Sequence, residues 1–345
     1  MQPQVIVTGR RAPARNVGRY SDRLTRETLA RMFSSTLRVI FFAAMVPFFD
    51  ERMVRAVLRW EDLLETLERA LIDFSAGRVV QPVRTVLQVP GERAFFGLMP
   101  AVYGDVLGAK LVTVYPENAA RGLPTHMGTI HLFRAATGEP LAGMDGRLIT
   151  EMRTAAVSAI ATRRLASADA HVLAILGSGV QARAHLEALR LVRRFDDVRV
   201  WSRTREHAQA FAAETGARAL PAADAVSGAD VVVTVTNSGE PVLCGDWLME
   251  GALVNAVGAV GPKRRELDGA AMRGLVVVDS REAALVESGD VLLAGVAIDA
   301  ELGDLLAVGV TTRQARHTVF KSLGIAVEDL AVARLVYERV TGNDI

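Results

Sequence analysis

The sequence predicts an α/β fold, a doubly wound parallel sheet that follows a mixed α+β region. Three observations carry this. Residues Val172–Ala184, VLAILGSGVQARA, pass from a short apolar run through a Gly-x-Gly turn into a helical pattern. From residue 172 to about residue 310, strand-like and helix-like segments alternate, as in a parallel sheet with helices on both faces. Between residues 79 and 144 the period shortens toward two with brief turns, the pattern of an antiparallel sheet.

The chain has 345 residues, enough for two domains and a substantial core. Half of it (50%) is hydrophobic and 23% is charged, as in ordinary soluble globular proteins. A net charge of +1 argues against a nucleic-acid or acidic partner. The single cysteine, Cys244, excludes an internal disulfide and fits a reducing compartment, so the expected location is cytoplasmic. It has no metal-ligand cluster around it and reads as a buried or loop thiol; no metal is expected.

Residues 1–44 differ from the rest. Arg10, Arg11, Arg15, Arg19, Arg23, Arg26, Arg31 and Arg38 face only Asp22 and Glu27, and an apolar run, Val39–Phe49, follows. The composition is that of a presequence, and the run is shorter than the roughly 20 residues of a membrane span. The simpler expectation is a poorly defined extension, or a start placed too early with Met45 as the true first residue.

Val46–Phe49 then reads as an edge strand. Asp50–Ser75 reads as two helices, with Trp60, Leu63, Leu64, Leu67, Leu71 and Phe74 at helical spacing and Gly77 as the stop. Gln81–Val89, Ala94–Met99, Ala109–Tyr115, Thr129–Phe133 and Leu141–Met144 read as strands, with a polar loop at Pro116–Pro124. Thr150–Leu165 reads as a linking helix with Thr150 as N-cap and Arg153 in its first turn. The parallel strands are Val172–Leu176, Val198–Trp201, Asp230–Val235, Leu253–Val257 and Leu275–Asp279. Helices fall between them, among them Val180–Val192, Arg205–Thr215 and Leu267–Arg273. The tail, Thr312–Gly342, reads as helical and is expected to return to the first region. The domains expected are a substrate-binding and dimerisation domain at 45–166, completed by 312–345, and a Rossmann domain at 167–311.

Ligands of such sheets lie past the carboxyl ends of the strands, so Gly177, Ser202, Thr236 and Gly258 should face one crevice. The glycines Gly177 and Gly179 let backbone approach a pyrophosphate, and the start of the following helix offers free N–H groups and a positive dipole end. Ala182 takes the third small position. An NAD site carries an acid after the second strand. Here that place reads Ser202-Arg203-Thr204, while Asp196 and Asp197 precede the strand. A guanidinium beside hydroxyls suits a 2′-phosphate, so NADPH is expected over NADH or NAD; the plain alternative is a solvated helix-start arginine.

The first region shows no Ser/His/Asp set and no paired carboxylates. It shows cations: Arg84 in a half-buried strand, Lys110 among apolar neighbours, and Arg153 in the linking helix. Buried charges need partners. With few acids nearby, the partner is either an anionic ligand or, for each cation taken singly, a structural ion pair or an exposed edge.

The motifs QPVRT (81–85), KLVTVYP (110–116), LPTH (123–126), AGMDG (142–146), TEMRTAA (150–156), LGSGVQ (176–181), WSRT (201–204), NAVG (255–258), RELD (265–268), ESGD (287–290) and VFKSLG (319–324) together resemble the ornithine cyclodeaminase/mu-crystallin family, in order from about Val46 to the C-terminus. The mu-crystallin branch is the nearer. The resemblance implies a homodimer whose first domain supplies the substrate pocket and the dimer sheet. It implies that Arg84 grips a substrate carboxylate, Lys110 stands by the reacting carbon and nitrogen, Arg153 assists, and Glu287 approaches the far end of the substrate. It places Thr125, His126 and Ser322 near the cofactor. With these, the expected cofactor set is Thr125, His126, Arg153, Gly177, Ser178, Gly179, Val180, Gln181, Ser202, Arg203, Thr204, His207, Thr236, Val257 and Ser322. The family's cyclodeaminases carry an Asp two residues after the glycine matching Gly258; this chain has Val260 there. Amine loss with ring closure then lacks its acid/base group, which points to the reductase branch and to hydride transfer to the C=N of cyclic ketimines such as pyrroline- or piperideine-2-carboxylate. Cyclodeamination of ornithine, reductive amination as in the family's alanine dehydrogenases, and ligand binding without turnover remain the alternatives.

Overall fold

The computed structural model describes residues 46–308 and 315–345. The expectations for residues 1–44, and for the start of the tail at Thr312, lie outside them.

The first sheet is mixed. Strand β1 (Phe48–Phe49) is its parallel edge, and helices α1 (Glu51–Val57) and α2 (Trp60–Ser75) follow. Asp50 caps α1 by accepting from the Met53 N–H. Strands β2 (Val79–Val80), β3 (Thr85–Gln88), β4 (Phe95–Tyr103), β5 (Val106–Val114), β6 (His126–Arg134) and β7 (Pro140–Asp145) complete it. The order is β1-β7-β6-β5-β4-β2, with β3 also on β4. The strand expected at Gln81–Val89 shortens to β3, which leaves Gln81–Arg84 as extended chain able to reach other elements. Between β4 and β5, Gly104 takes φ 61°, the left-handed conformation a two-residue hairpin turn calls for.

Helix α3 (Arg147–Leu165) links the sheets. It starts at Gly146, a turn earlier than expected. Thr150 donates its N–H to Gly146 inside the first turn rather than capping, and Asp145 accepts from the Arg147 N–H. Arg153 therefore sits in the second turn.

The second sheet is wholly parallel. Its strands are β8 (Val172–Leu176), β9 (Asp197–Trp201), β10 (Arg218–Ala219), β11 (Val231–Thr234), β12 (Leu253–Ala256), β13 (Leu275–Val278), β14 (Ala300–Glu301) and β15 (Thr318–Lys321), in the order β10-β9-β8-β11-β12-β15-β13-β14. Helices α4 (Val180–Arg190), α5 (Arg205–Thr215), α6 (Ala222–Val226), α7 (Arg281–Glu287), α8 (Gly289–Ala294) and α9 (Leu302–Val308) connect them. Two expectations fail here. Leu267–Arg273 is not a helix beyond a 3-10 turn at Ala271–Arg273, because Leu267 is held extended in a parallel bridge with Leu243: the Val242 and Leu243 N–H groups donate to Glu266 O, and the Asp268 N–H donates to Leu243 O. The tail is not helical throughout: Thr318–Lys321 slots between β12 and β13 as β15. Only α10 (Ala326–Thr341) returns to the first sheet, packing on β4, β5 and β6 and on α1, α2 and α3.

The parallel strands are apolar on both faces. Leu173, Ile175, Val231, Val233 and Phe320 join a core that runs through α3 into the first sheet; Val172, Ala174, Val232, Val254 and Val319 join a second core on the other face. Alternate side chains point to opposite faces, so burial on both sides demands the unbroken apolar runs seen in the sequence.

Candidate active site

The crevice is built by the strand ends. Gly177 leaves β8 at φ 129° and donates its N–H to Trp201 O at 2.8 Å, which lays the glycine turn beside the end of β9. A Cβ on Gly177 would lie 2.7 Å from Val235 O, so glycine is required by the neighbouring strand end. A Cβ on Gly179 would meet nothing within 4 Å. There, glycine serves the space above the start of α4, where the first-turn N–H groups have no intrahelical acceptor. That cradle fits a pyrophosphate. Arg183 fixes the turn from below: its Nη1 donates to Ser178 O (2.8 Å) and Gly179 O (3.3 Å), and Glu214 holds the guanidinium. Ser202, Arg203 and Thr204 follow β9 into the same region. Arg203 and His207 are exposed. Asp197, at the amino end of β9, is taken by Arg199 and Arg218, and the residues that follow the strand's carboxyl end are Ser202, Arg203 and Thr204.

A cavity of about 810 Å³ opens between these strand ends and the first sheet. Arg84, Lys110, Thr125 and His126 line it from the first sheet and its loops, and Arg153 from α3. Val180 and Gln181 line it from the first turn of α4, and Thr236, Val257, Glu287 and Ser322 from beyond. Gly177, Ser178, Gly179, Ser202, Arg203, Thr204 and His207 are not in its wall; they flank the crevice at the ends of β8 and β9. The Ser322 hydroxyl and the Gln181 Oε1 are buried without a hydrogen-bond partner among the described residues. Ser322, on the wall beside Val257, offers a donor and acceptor to a cofactor amide.

The three cations are buried or nearly so, and each has partners. Lys110 Nζ donates to Asp329 Oδ2 at 2.6 Å. Arg153 donates from Nε to Asp329 Oδ1 (3.1 Å) and from Nη1 to Glu328 Oε2 (2.7 Å). Arg84 donates from Nε to Glu287 Oε2 (3.0 Å) and from Nη2 to the carbonyls of Leu323 and Gly324, both at 2.8 Å. The shortage of acids expected around these cations is thus corrected. Carboxylates arrive from α7 and α10, more than 170 residues away in sequence for Arg153 and Lys110.

Burial, helped by nearby Arg153 and Arg84 and opposed by Asp329, brings the Lys110 ammonium down to about 8. Burial pushes Glu328 up to about 7 against the pull of Arg153. Burial also works to raise Asp329, but Arg153 and Lys110 outweigh it and hold the carboxyl below its ordinary value. His126 is lowered by burial and then by Lys110 and Arg264. A lysine that titrates near neutrality in an apolar-walled cavity can give and retake a proton; the arginines cannot. No cluster of potential metal ligands occurs among the described residues.

A model of the ornithine cyclodeaminase/mu-crystallin family matches residues 47–344. The chain belongs to this family. The mouse ketimine reductase mu-crystallin is 50% identical over 285 residues, 80% of this chain and 91% of that one. Among solved structures, Thermococcus litoralis Δ1-pyrroline-2-carboxylate reductase, in complex with NADH and L-proline, superposes with a TM-score of 0.81 at 35% identity, covering 86% of this chain and 98% of that one. An archaeal alanine dehydrogenase dimer with bound NAD also gives 0.81, at 31% identity, covering 86% and 96%. A Rossmann-type sheet is shared with these enzymes.

In this family member, several site residues escaped sequence reasoning. Glu266 is fully buried. Its carboxylate accepts from Thr234 Oγ1 (2.8 Å), from Thr236 N and Oγ1 (both 2.6 Å), from Gly258 N (2.7 Å) and from Ala259 N (3.2 Å). It thereby pins the two loops that carry Thr236 and Val257 to the cavity. Beneath it, Lys321 Nζ bridges Asp290 (3.0 Å) and Ala259 O (2.7 Å). Asp279 accepts from the Leu323 and Gly324 N–H groups and so shapes the turn whose carbonyls hold Arg84. RELD and ESGD had marked Glu266 and Asp290 as motif members, but nothing in the sequence says what a buried carboxylate will grip. Val260 lies in the cavity wall, so the Gly258–Pro262 turn presents no acid there.

Proposed function

We propose that this chain is an NAD(P)H-dependent reductase of 2-imino acids, with cyclic ketimines such as pyrroline-2-carboxylate or piperideine-2-carboxylate as its substrate class. The mouse relative carries the name ketimine reductase, and the T. litoralis structure holds NADH with proline. The observation that carries the reading is the shared cavity. Lys110 and Arg84 stand in the same wall system as Val180 and Gln181, the first turn after the glycine loop. A site with these cations in bulk solvent would have excluded it.

Arg84 meets the substrate carboxylate. Its Nε and Nη2 are held by Glu287 and the two carbonyls, which fixes the guanidinium plane in the cavity wall. Lys110, as ammonium, donates a proton to the imine nitrogen and regains one from solvent. A dihydronicotinamide, when bound, would supply hydride-transfer chemistry to the imine carbon. Gly179, Gln181, Thr236, Val257 and Ser322 would hold that cofactor. Arg203 with Ser202 and Thr204 supports NADPH over NADH. Among the described residues, the substrate-binding and dimer-forming part is 46–166 with α10, and the dinucleotide part is 167–308 with β15. The chain forms a homodimer through the first sheet, where β3 leaves Val86 and Leu87 exposed. No helix among the described residues is long and apolar enough to cross a membrane.

The test is oxidation of NADPH and of NADH across cyclic and linear 2-imino acids, with ammonia measured in parallel. Cofactor consumption with a cyclic ketimine is the expected result, and K110A lowers turnover while cofactor binding survives. Ammonia release from ornithine without net cofactor consumption would establish cyclodeamination instead. Tight ligand binding without any consumption would leave a binding protein.

A further inference from the structure

We infer that Asp329, at the start of α10, is the positioning residue that sets the place and charge of Lys110. The inference rests on the reductase reading for its consequence, but its geometry stands alone. One carboxylate holds two cavity cations by separate oxygens: Oδ2 takes Lys110 Nζ at 2.6 Å, and Oδ1 takes Arg153 Nε at 3.1 Å. Asp329 is itself 1% exposed, so solvent does not screen the pair. The three groups come from three elements, β5, α3 and α10, and α10 packs on both of the others.

A lysine has four rotatable side-chain bonds, and an ammonium in a wide cavity would wander without a fixed anion. Bound to Asp329, Lys110 has one of its three protons committed and two left for the cavity. Arg264 and Glu287 line the same cavity, and Arg264 acts on His126. Asp329 and Glu328 approach from α10, Arg153 from α3, Arg84 from the chain before β3, and His126 from the start of β6. Glu328 is spent on Arg153, not on Lys110. Among the described residues Asp329 is therefore the anion in contact with Lys110, opposing Arg153, Arg84 and burial, all of which favour the neutral amine.

The test is D329N. The apoprotein is treated with acetic anhydride over a range of pH, and acylation of Lys110 is followed by mass spectrometry. This reports the Lys110 titration without any turnover. Removing the anion should move the titration midpoint about one pH unit lower, from about 8 toward 7, raising the neutral fraction at pH 7 about fivefold. The alkaline limb of kcat should move with it, and D329E should bring both back toward wild type. A midpoint unmoved in D329N overturns the inference, even if stability falls. Should D329N fail to bind cofactor, K110A and K110A/D329N carry the test. The double variant removes both members of the Lys110 pair, and Arg153 keeps its bond to Glu328. A loss from D329N in the K110A background below about threefold supports action through Lys110. A loss there above tenfold overturns it. Absence of wild-type turnover on any imino acid would sink the reductase reading instead, and the acylation midpoint would still judge Asp329.

Discussion

Replacing Glu266 by glutamine should loosen the floor of the cofactor crevice. Five donors converge on its two oxygens. Three of them, the N–H groups of Thr236, Gly258 and Ala259, are backbone donors that cannot reverse. The hydroxyls of Thr234 and Thr236 can. An amide nitrogen at the Oε1 place would face the Thr236 N–H; at the Oε2 place it would face the Gly258 and Ala259 N–H groups. Either orientation leaves at least one buried backbone donor against a donor, and the remaining bonds lose their charge assistance. One stranded donor costs about 1–3 kcal/mol, and weakening a charge-assisted bond about 1 kcal/mol more, so a total near 3 kcal/mol is expected. For a chain of this size that is a fall in Tm of roughly 4–5 °C. Thr236 and Val257 sit on the loosened loops, so cofactor affinity should fall about tenfold, on the order of 1.4 kcal/mol. Thermal denaturation with and without NADPH, and fluorescence titration of the cofactor, measure both. A Tm within about a degree of wild type together with unchanged affinity would refute the pinning role.

Three further outcomes are expected. R84A should raise KM for an imino acid by about a hundredfold, as removal of a buried, hydrogen-bonded charge partner costs about 2–5 kcal/mol, with kcat less affected; equal KM values in steady-state kinetics would contradict the carboxylate assignment. In the pH profile of kcat, Lys110 works as the charged donor, and its pKa is brought down to about 8, so kcat should hold on the acid side of that value and decline on the alkaline side. The decline should approach tenfold per pH unit, and a kcat that rises through this range would reverse the assigned role. R203A should weaken NADPH by about tenfold, the worth of one exposed charge-assisted contact, and leave NADH unchanged; equal losses for both cofactors would remove the 2′-phosphate assignment.

The parallel sheet was legible because its physics is local. Strands buried on both faces must be continuously apolar, and Val172–Leu176, Val231–Thr234 and Leu275–Val278 advertise this residue by residue. The glycine turn was legible for a similar reason: a strand running straight into a helix through Gly177 and Gly179 has few uses. Arg84, Lys110 and Arg153 stood out because each is a charge in an apolar setting. Misreadings arose where a local signal was overruled from afar. Thr318–Lys321 has apolar residues at spacings that suit a helix or a strand, and only the gap between β12 and β13 makes it a strand. Thr150 is a good capping residue, but Gly146 and Asp145 start α3 before it.

The partners of the cations could not be read at all. Glu328 and Asp329 open a helix, where acids are favoured by the dipole alone, and so their presence carries no message about Lys110. The sequence by itself determined the fold class, the nucleotide turn and the identity of the cavity cations, since each is written in the chemistry of a few adjacent residues. Only the tertiary structure decided which carboxylate neutralises which cation, because a buried charge is stabilised by whatever stands within about 3 Å of it in space, and chain order does not measure that distance.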